Sequence, residues 1–297
     1  MNRYPILFTR KLPVFFHIPK NAGTYVSSTV WHMMHYYCYV KLWRFYDKSE
    51  SLIKGSMKGL SIVNDKNLKM FQVYGYDHGS EPERYREDYS LNEFIDYYNN
   101  NPFELFAIIV ESTGFSSYSS ILNKLSGFNF VQFAILRDPF KRERSTFNYI
   151  KSDASNHERN ARELKQKINY TSFNDYLNSY QVSDSWLVRS FINVDNNEEL
   201  TDKHFELICR ILDKFKLCDI KDTDNIINRV FMECYGININ DIFPYIHTDQ
   251  VEEYIQKNKN NISGSVKEEI DEDTLKKFKE RAKYEYRIYN RYTKTTT

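Results

Sequence analysis

The sequence is poor in the residues that punctuate or cross-link a chain. Nine glycines, seven prolines and four cysteines in 297 residues exclude collagen-like repeats, Pro/Gly low complexity and a disulfide-dense scaffold. Cys38, Cys209, Cys218 and Cys234 form no C-x-x-C pair and have no histidines at zinc-ligand spacing. Neither a structural metal nor a disulfide framework is therefore signalled, and free thiols are expected. Net charge is also nearly absent. The 41 Lys+Arg against 40 Asp+Glu give +1, so no global field would hold the chain on nucleic acid or an acidic membrane. Any anion site has to be local. Nowhere do about 18 apolar residues run together, as a transmembrane helix requires. Residues Met1 to Pro13 are basic without an apolar signal-peptide core. These absences lead to the expectation of a soluble, cytoplasmic protein with no nucleic-acid partner. The sequence carries no signature of its oligomeric state and no internal repeat.

What is present is enough apolar surface for a core: 41% hydrophobic residues, with 24 tyrosines and 21 phenylalanines. A single α/β domain over residues 1–297 accounts for this length and composition. The Asn, Lys, Ile and Tyr excess reads as coding bias.

Leu12 to Ile18 is a short apolar run rich in β-formers that stops at Pro19, which predicts a buried strand leaving its sheet. From Thr24, a plausible N-cap, Val26, Val30, Met33, Met34 and Tyr37 recur at helical spacing. Strands are then predicted at Met70 to Tyr76, Leu105 to Val110 and Phe130 to Leu136. Helices are predicted at Ser90 to Tyr98, Tyr118 to Leu125 and Phe140 to about Lys151. Strands alternating with helices argue for a parallel sheet with crossover connections. Ser152 to Asn169 is highly charged, a solvated helix or a loop where a lid could lie. Helical patterns then dominate: Phe173 to Asn178, Ser185 to Ile192, Asp202 to Phe215, Thr223 to Tyr235, and one long helix from Asp273 to Tyr292.

Two strand-loop-helix elements, Phe15 to Ser28 and Phe133 to Tyr149, carry the chemistry. A parallel strand feeding a tight loop and a helix gathers backbone N–H groups and the positive helix end at one point, a ready anion site. In Pro19-Lys20-Asn21-Ala22-Gly23-Thr24, the small Ala22 and Gly23 keep the backbone uncovered. Thr24 adds a hydroxyl and Lys20 a mobile point charge. The terminal Gly-Lys-Ser/Thr of a Walker A loop is missing. In the second element Arg137 falls at a strand end and Ser145 inside the following helix, suited by guanidinium fork and hydroxyl to a further phosphate.

His17-Ile18-Pro19-Lys20-Asn21-Ala22-Gly23-Thr24 resembles the 5′-phosphosulfate loop, H-I-P-K-T-A-G-T, of Golgi-type carbohydrate sulfotransferases. Arg137-Asp138-Pro139 through Ser145 is similar to their 3′-phosphate motif, R-D-P-x-x-R-x-x-S. The order of the motifs and the aromatic C-terminal helix resemble the heparan sulfate 2-O-sulfotransferase group over most of the chain. The resemblance implies a P-loop-like three-layer sandwich, a central parallel sheet flanked by helices with a helical C-terminal part. It implies transfer of a sulfuryl group from 3′-phosphoadenosine 5′-phosphosulfate (PAPS) to a hydroxyl-bearing acceptor, a glycan by family expectation. Lys20 would touch the bridging oxygen and the 5′-phosphate, with Pro19, Asn21, Ala22, Gly23, Thr24 and Tyr25 completing the loop. Arg137 and Ser145 would bind the 3′-phosphate. Asn21 stands where Thr is usual and Tyr25 where Ser is usual. Arg142 matches the motif's Arg, and a salt-bridged helix surface explains it equally well.

Two residues compete for the general base: His78, in Tyr76-Asp77-His78-Gly79 after the second strand, and Glu111, which closes the third. Trp186 and Arg189 lie where relatives complete the nucleotide pocket, although helix packing serves Trp186 as well. Two other functions remain open: an ATP-dependent P-loop-like kinase, and a nucleotide-binding protein without turnover.

Overall fold

The computed structural model describes residues 11–18, 21–22, 26, 29–30, 68–74, 105–111, 129–151, 170–179, 185–192, 194–195, 197–236, 238 and 269–294, with backbone alone for 68–74 and 105–111. Pro19, Lys20, Gly23, Thr24, Tyr25 and His78 lie outside the described residues. So do the helices expected at Ser90 to Tyr98 and Tyr118 to Leu125 and the charged stretch from Ser152 to Asn169.

Five strands, β1 (Lys11–His17), β2 (Leu68–Tyr74), β3 (Leu105–Glu111), β4 (Asn129–Leu136) and β5 (Lys216–Asp219), form one sheet in the order β2-β3-β1-β4-β5. Every pairing is parallel, so the fold is α/β. Parallel neighbours need crossovers that cover the faces, which explains why the strand sequences are near-continuous apolar runs rather than alternating ones. Leu12, Val14, Phe15 and Phe16 of the central β1 are all buried. Pro13 precedes the first β1–β3 ladder pair, Val14↔Ile108, so its missing N–H falls outside that ladder.

Seven α-helices are described: α1 (Pro139–Lys151), α2 (Phe173–Asn178), α3 (Trp186–Ile192), α4 (Asp202–Leu212), α5 (Thr223–Tyr235), α6 (Glu272–Arg281) and α7 (Lys283–Thr293). Leu12, Val14 and Phe16 of β1, with Ala134 and Leu136 of β4, all lie in one apolar cluster. It also takes in Leu187, Val188 and Phe191 of α3, Ile208 and Leu212 of α4, and Ile288 of α7. The residue step of two along both strands marks a single sheet face. α5 lies against β1, β4 and β5 and shares no residue with that cluster. A second cluster joins α1, α2 and α6 through Phe147, Phe173, Tyr176 and Phe278. Each fully buried phenylalanine here contributes about 1.5–3 kcal/mol of transfer free energy.

Local signals set the helix ends. Ser172 caps α2 in a capping box with Asp175. The Asp271 carboxylate caps α6, accepting from the backbone N–H groups of Asp273 and Thr274 and from the Thr274 hydroxyl. Gly236 takes the left-handed position that ends α5.

Two features depart from the sequence expectation. The helix predicted from Asp202 to Phe215 ends at Leu212, and the chain turns at once into β5, a strand the sequence did not signal. The long C-terminal helix is two helices broken at Ala282. At the break the Ser185 hydroxyl donates to the Arg281 carbonyl at 3.2 Å, and the Arg281 guanidinium donates to the Leu177 carbonyl. These side contacts occupy groups that a continuous helix would use or leave to solvent.

Candidate functional site

The strand order places a topological switch between β1 and β4. From β1 the chain goes to β2 and β3 on one side, and from β4 to β5 on the other. In open α/β sheets such a switch leaves a crevice outside the carboxyl ends of the two strands, where ligands bind. Both strand-loop-helix elements singled out in the sequence issue from these two strands.

The first element leaves β1 at Ile18. The Asn21 N–H donates to the Ile18 carbonyl at 3.1 Å, closing a tight turn. Ala22 follows with φ 61°, the left-handed region a non-glycine residue enters at a cost of about 1–2 kcal/mol. Its carbonyl accepts from the Val26 N–H at 2.9 Å. Val26, Thr29 and Val30 are helical, and Thr24, the expected cap, lies outside the described residues. Asn21 itself is buried, and its Nδ2 donates to the Ile135 carbonyl of β4 at 2.9 Å. Pairing of β1 with β4 runs only to Phe15↔Phe133. Beyond that pair the Asn21 side chain supplies the partner for the β4 backbone.

The second element leaves β4 through Arg137 and Asp138. The Asp138 carboxylate accepts from the Lys141 N–H at 3.0 Å, and Pro139 occupies the first helical position, where a missing N–H costs nothing. Asp138-Pro139 is thus a helix start, which fixes the direction in which α1 carries Ser145 away from the strand. Arg137 and Ser145 are both partly exposed. Burial lowers the Arg137 pKa, opposed by Asp138 and by Asp219 at the end of β5. A guanidinium stays charged under such a shift, so the strand end carries a half-buried, partly desolvated cation.

The two candidate bases differ in placement. Glu111 is in register with His17 at the end of β1 and with Tyr74 at the end of β2, so its backbone stands beside the strand end from which the first loop departs. His78 falls four residues past the end of β2, outside the described residues. The His17 ring stacks on Phe15, with centroids 5.8 Å apart.

Arg142 corrects the surface reading of its salt bridges. It is buried, with Glu143 and Glu285 as carboxylate partners, the Tyr176 hydroxyl donating to Glu143 Oε2 at 2.8 Å, and its guanidinium 5.4 Å from the Trp186 ring centroid. Burial alone would lower the Arg142 pKa, but Glu285 and Glu143 outweigh it and hold the cation. Burial pushes the Glu285 carboxyl up. Trp186 packs against the β1–α3 cluster. Arg189 donates to the Asp195 and Glu198 carbonyls, the latter at 2.8 Å, and so secures the turn before α4.

Sequence reasoning missed Asn21 as a bridge between the elements, and it missed Glu143, Glu285 and Tyr176 around Arg142. An acidic residue beside the motif arginine was the only visible signal. Among the described residues no three His, Cys, Asp or Glu side chains gather as a metal would need, and no helix is long and apolar enough to cross a membrane. Comparison with models of protein families gave no match, and comparison with curated proteins gave none.

Proposed function

We propose that the chain is a sulfotransferase that binds PAPS across the β1/β4 crevice of a P-loop-like three-layer sandwich and delivers its sulfuryl group to a hydroxyl acceptor, a carbohydrate by preference. The observation that carries this reading is the Asn21–Ile135 hydrogen bond, which links the first motif's loop to the strand that leads into the second motif, at the switch point of a parallel sheet. A ligand with two separated phosphate groups suits two such elements, and PAPS has that arrangement. The helices packed on β1, β4 and β5 favour the layered architecture.

PAPS supplies the sulfuryl group and a phosphate leaving group. In the transfer the acceptor oxygen forms a bond to sulfur as the sulfur–oxygen bond to the 5′-phosphate breaks, and the base takes the acceptor's proton. In-line positioning and charge neutralisation supply the catalysis, as in phosphoryl transfer. Within this reading Lys20 and the first loop hold the 5′-phosphosulfate, and Arg137 with Ser145 holds the 3′-phosphate. The half-buried Arg137 fits a phosphate because its guanidinium is already partly desolvated. Of the two bases, Glu111 has its backbone in register with the end of β1, and His78, the first choice on its titration range, lies outside the described residues.

The test is calorimetry with 3′-phosphoadenosine 5′-phosphate and with ATP on the parent and on Arg137→Ala. Preference for the 3′,5′-bisphosphate, lost in Arg137→Ala, is expected. Equal affinity for both nucleotides, or an Arg137→Ala protein that binds as the parent does, would overturn the assignment.

A further inference from the structure

We infer that Asn21 is a positioning residue that couples the two halves of the anion crevice, so that a ligand anchored at the first loop presets the strand end carrying Arg137. The inference rests on the nucleotide reading above and adds a regulation of the same site.

Asn21 is 2% exposed, and its Nδ2 donates to the Ile135 carbonyl across 114 residues of sequence. Ile135 is two residues from Arg137. The amide orientation is fixed, because exchanging Nδ2 and Oδ1 would set one carbonyl oxygen against another. The opposite end of the same amide is not compensated: Oδ1 is buried and has no hydrogen-bond partner among the described residues. Leaving a buried acceptor unpaired costs about 1–3 kcal/mol, more than a typical hydrogen bond returns. The side chain is therefore a poor choice as mere filler and is specific in what it reaches.

The surroundings make the link stiff. Asn21 is held from behind by its own N–H on the Ile18 carbonyl and from in front by the left-handed Ala22, whose carbonyl already serves Val26. On the β4 side, Ala134 to Leu136 are buried and paired with Leu217 to Asp219 of β5. With the β1–β4 ladder finished at Phe15↔Phe133, the Asn21 amide adds a directed hydrogen bond to the apolar cluster that Phe16 and Ile18 share with Ala134 and Leu136. A displacement of Asn21 therefore reaches the β4 backbone directly, through that hydrogen bond.

The experiment compares four ligands, adenosine, adenosine 5′-phosphate, adenosine 3′-phosphate and 3′-phosphoadenosine 5′-phosphate, by calorimetry on the parent, Asn21→Ala and Asn21→Leu. Thermal unfolding identifies which variants are folded. Leucine keeps the volume of the buried amide and removes its donor, so it serves if the alanine variant does not fold. The readout is the ratio of the 5′-phosphate's affinity gain with the 3′-phosphate present to its gain without it. A ratio well above one in the parent, falling about threefold to tenfold in a folded variant, is expected for one lost hydrogen bond. A variant in which all four ligands weaken equally, or none does, keeps the parental ratio; Asn21 is then structural and the inference is overturned. A parent that does not distinguish the bisphosphate from the monophosphates overturns the nucleotide reading itself, and this inference with it.

Discussion

The guanidinium of Arg142 on α1 is paired with the carboxylate of Glu285 on α7, 143 residues away, and the two side chains are only 6% and 3% exposed. This pair ties the helix that carries Ser145 to the C-terminal helix through the interior of the protein. Glu143 accepts from the same guanidinium and from the Tyr176 hydroxyl, so α2 joins the same network. Buried ion pairs add little net stability over apolar packing, but removing one member strands the other. Arg142→Met leaves two buried carboxylates without their cation and is expected to cost about 3–5 kcal/mol in denaturant unfolding. Glu285→Gln leaves Arg142 paired with Glu143 and should cost less. If the two variants unfold at the same denaturant concentration as the parent, the network does not organise the core.

Acid lability should report a different pair of contacts. Glu233 on α5 accepts from Lys11 of β1 and Lys216 of β5, each at 2.8 Å. The hydrogen bonds from Lys11 and Lys216 lower its pKa from the ordinary value of 4.5. The folded state therefore binds this proton less readily than the unfolded chain. The stabilisation is present above the unfolded value and is lost as pH falls through the lowered folded value. All three side chains are about one-third exposed, so the effect is small, up to about 1 kcal/mol. Glu233→Gln should lower stability at pH 7 by that amount and flatten the decline below pH 4.5. An unchanged acid limb in the variant would assign the decline to other carboxylates.

Cys218 and Cys234 should be chemically silent in the native protein. Burial raises both thiols, Cys234 to about 12, and the thiolate is the reactive form. Iodoacetamide at pH 7.5 is expected to leave both unmodified until denaturant is added, as read by peptide mass spectrometry. Rapid native labelling of either would mean that β5 and α5 open readily.

The sequence reading reached elements whose causes are local. The apolar run of β1 and the helical patterns of α2 and α5 each act within a few residues, and α2 and α5 have the expected limits. β5 was hidden because four residues are too few to show a strand period, and the helical pattern of α4 runs up to Phe215, directly before them. Its existence depends on β4 offering an edge, with pairs from Phe133↔Lys216 to Leu136↔Asp219. The break at Ala282 depends on Ser185, which is nearly a hundred positions away and also in the left-handed region. The two elements proposed to bind phosphate were legible in the apolar runs of β1 and β4 that open them. The bond that joins them was not, since nothing near Asn21 in sequence points to Ile135. Long-range pairings of this kind are decided by the packed fold and leave little periodic trace.

Ala22 offers the sharpest test of the loop geometry. Its φ of 61° places the β-carbon against the following carbonyl, a strain of about 1–2 kcal/mol that glycine does not feel. Glycine also gives back about 0.5–1 kcal/mol through the greater freedom of the unfolded chain. Ala22→Gly should therefore be more stable than the parent by roughly 0.5–1 kcal/mol, a rise of about 2 °C in Tm for a chain of this size. Ala22→Val should fall in the other direction by more than 1 kcal/mol, roughly, because a β-branched residue is a genuine outlier at positive φ. Because the Ala22 carbonyl accepts from Val26, the valine variant should also lose protection of the Val26 amide from hydrogen exchange. Three proteins with the same Tm would show that Ala22 does not hold the left-handed conformation in solution.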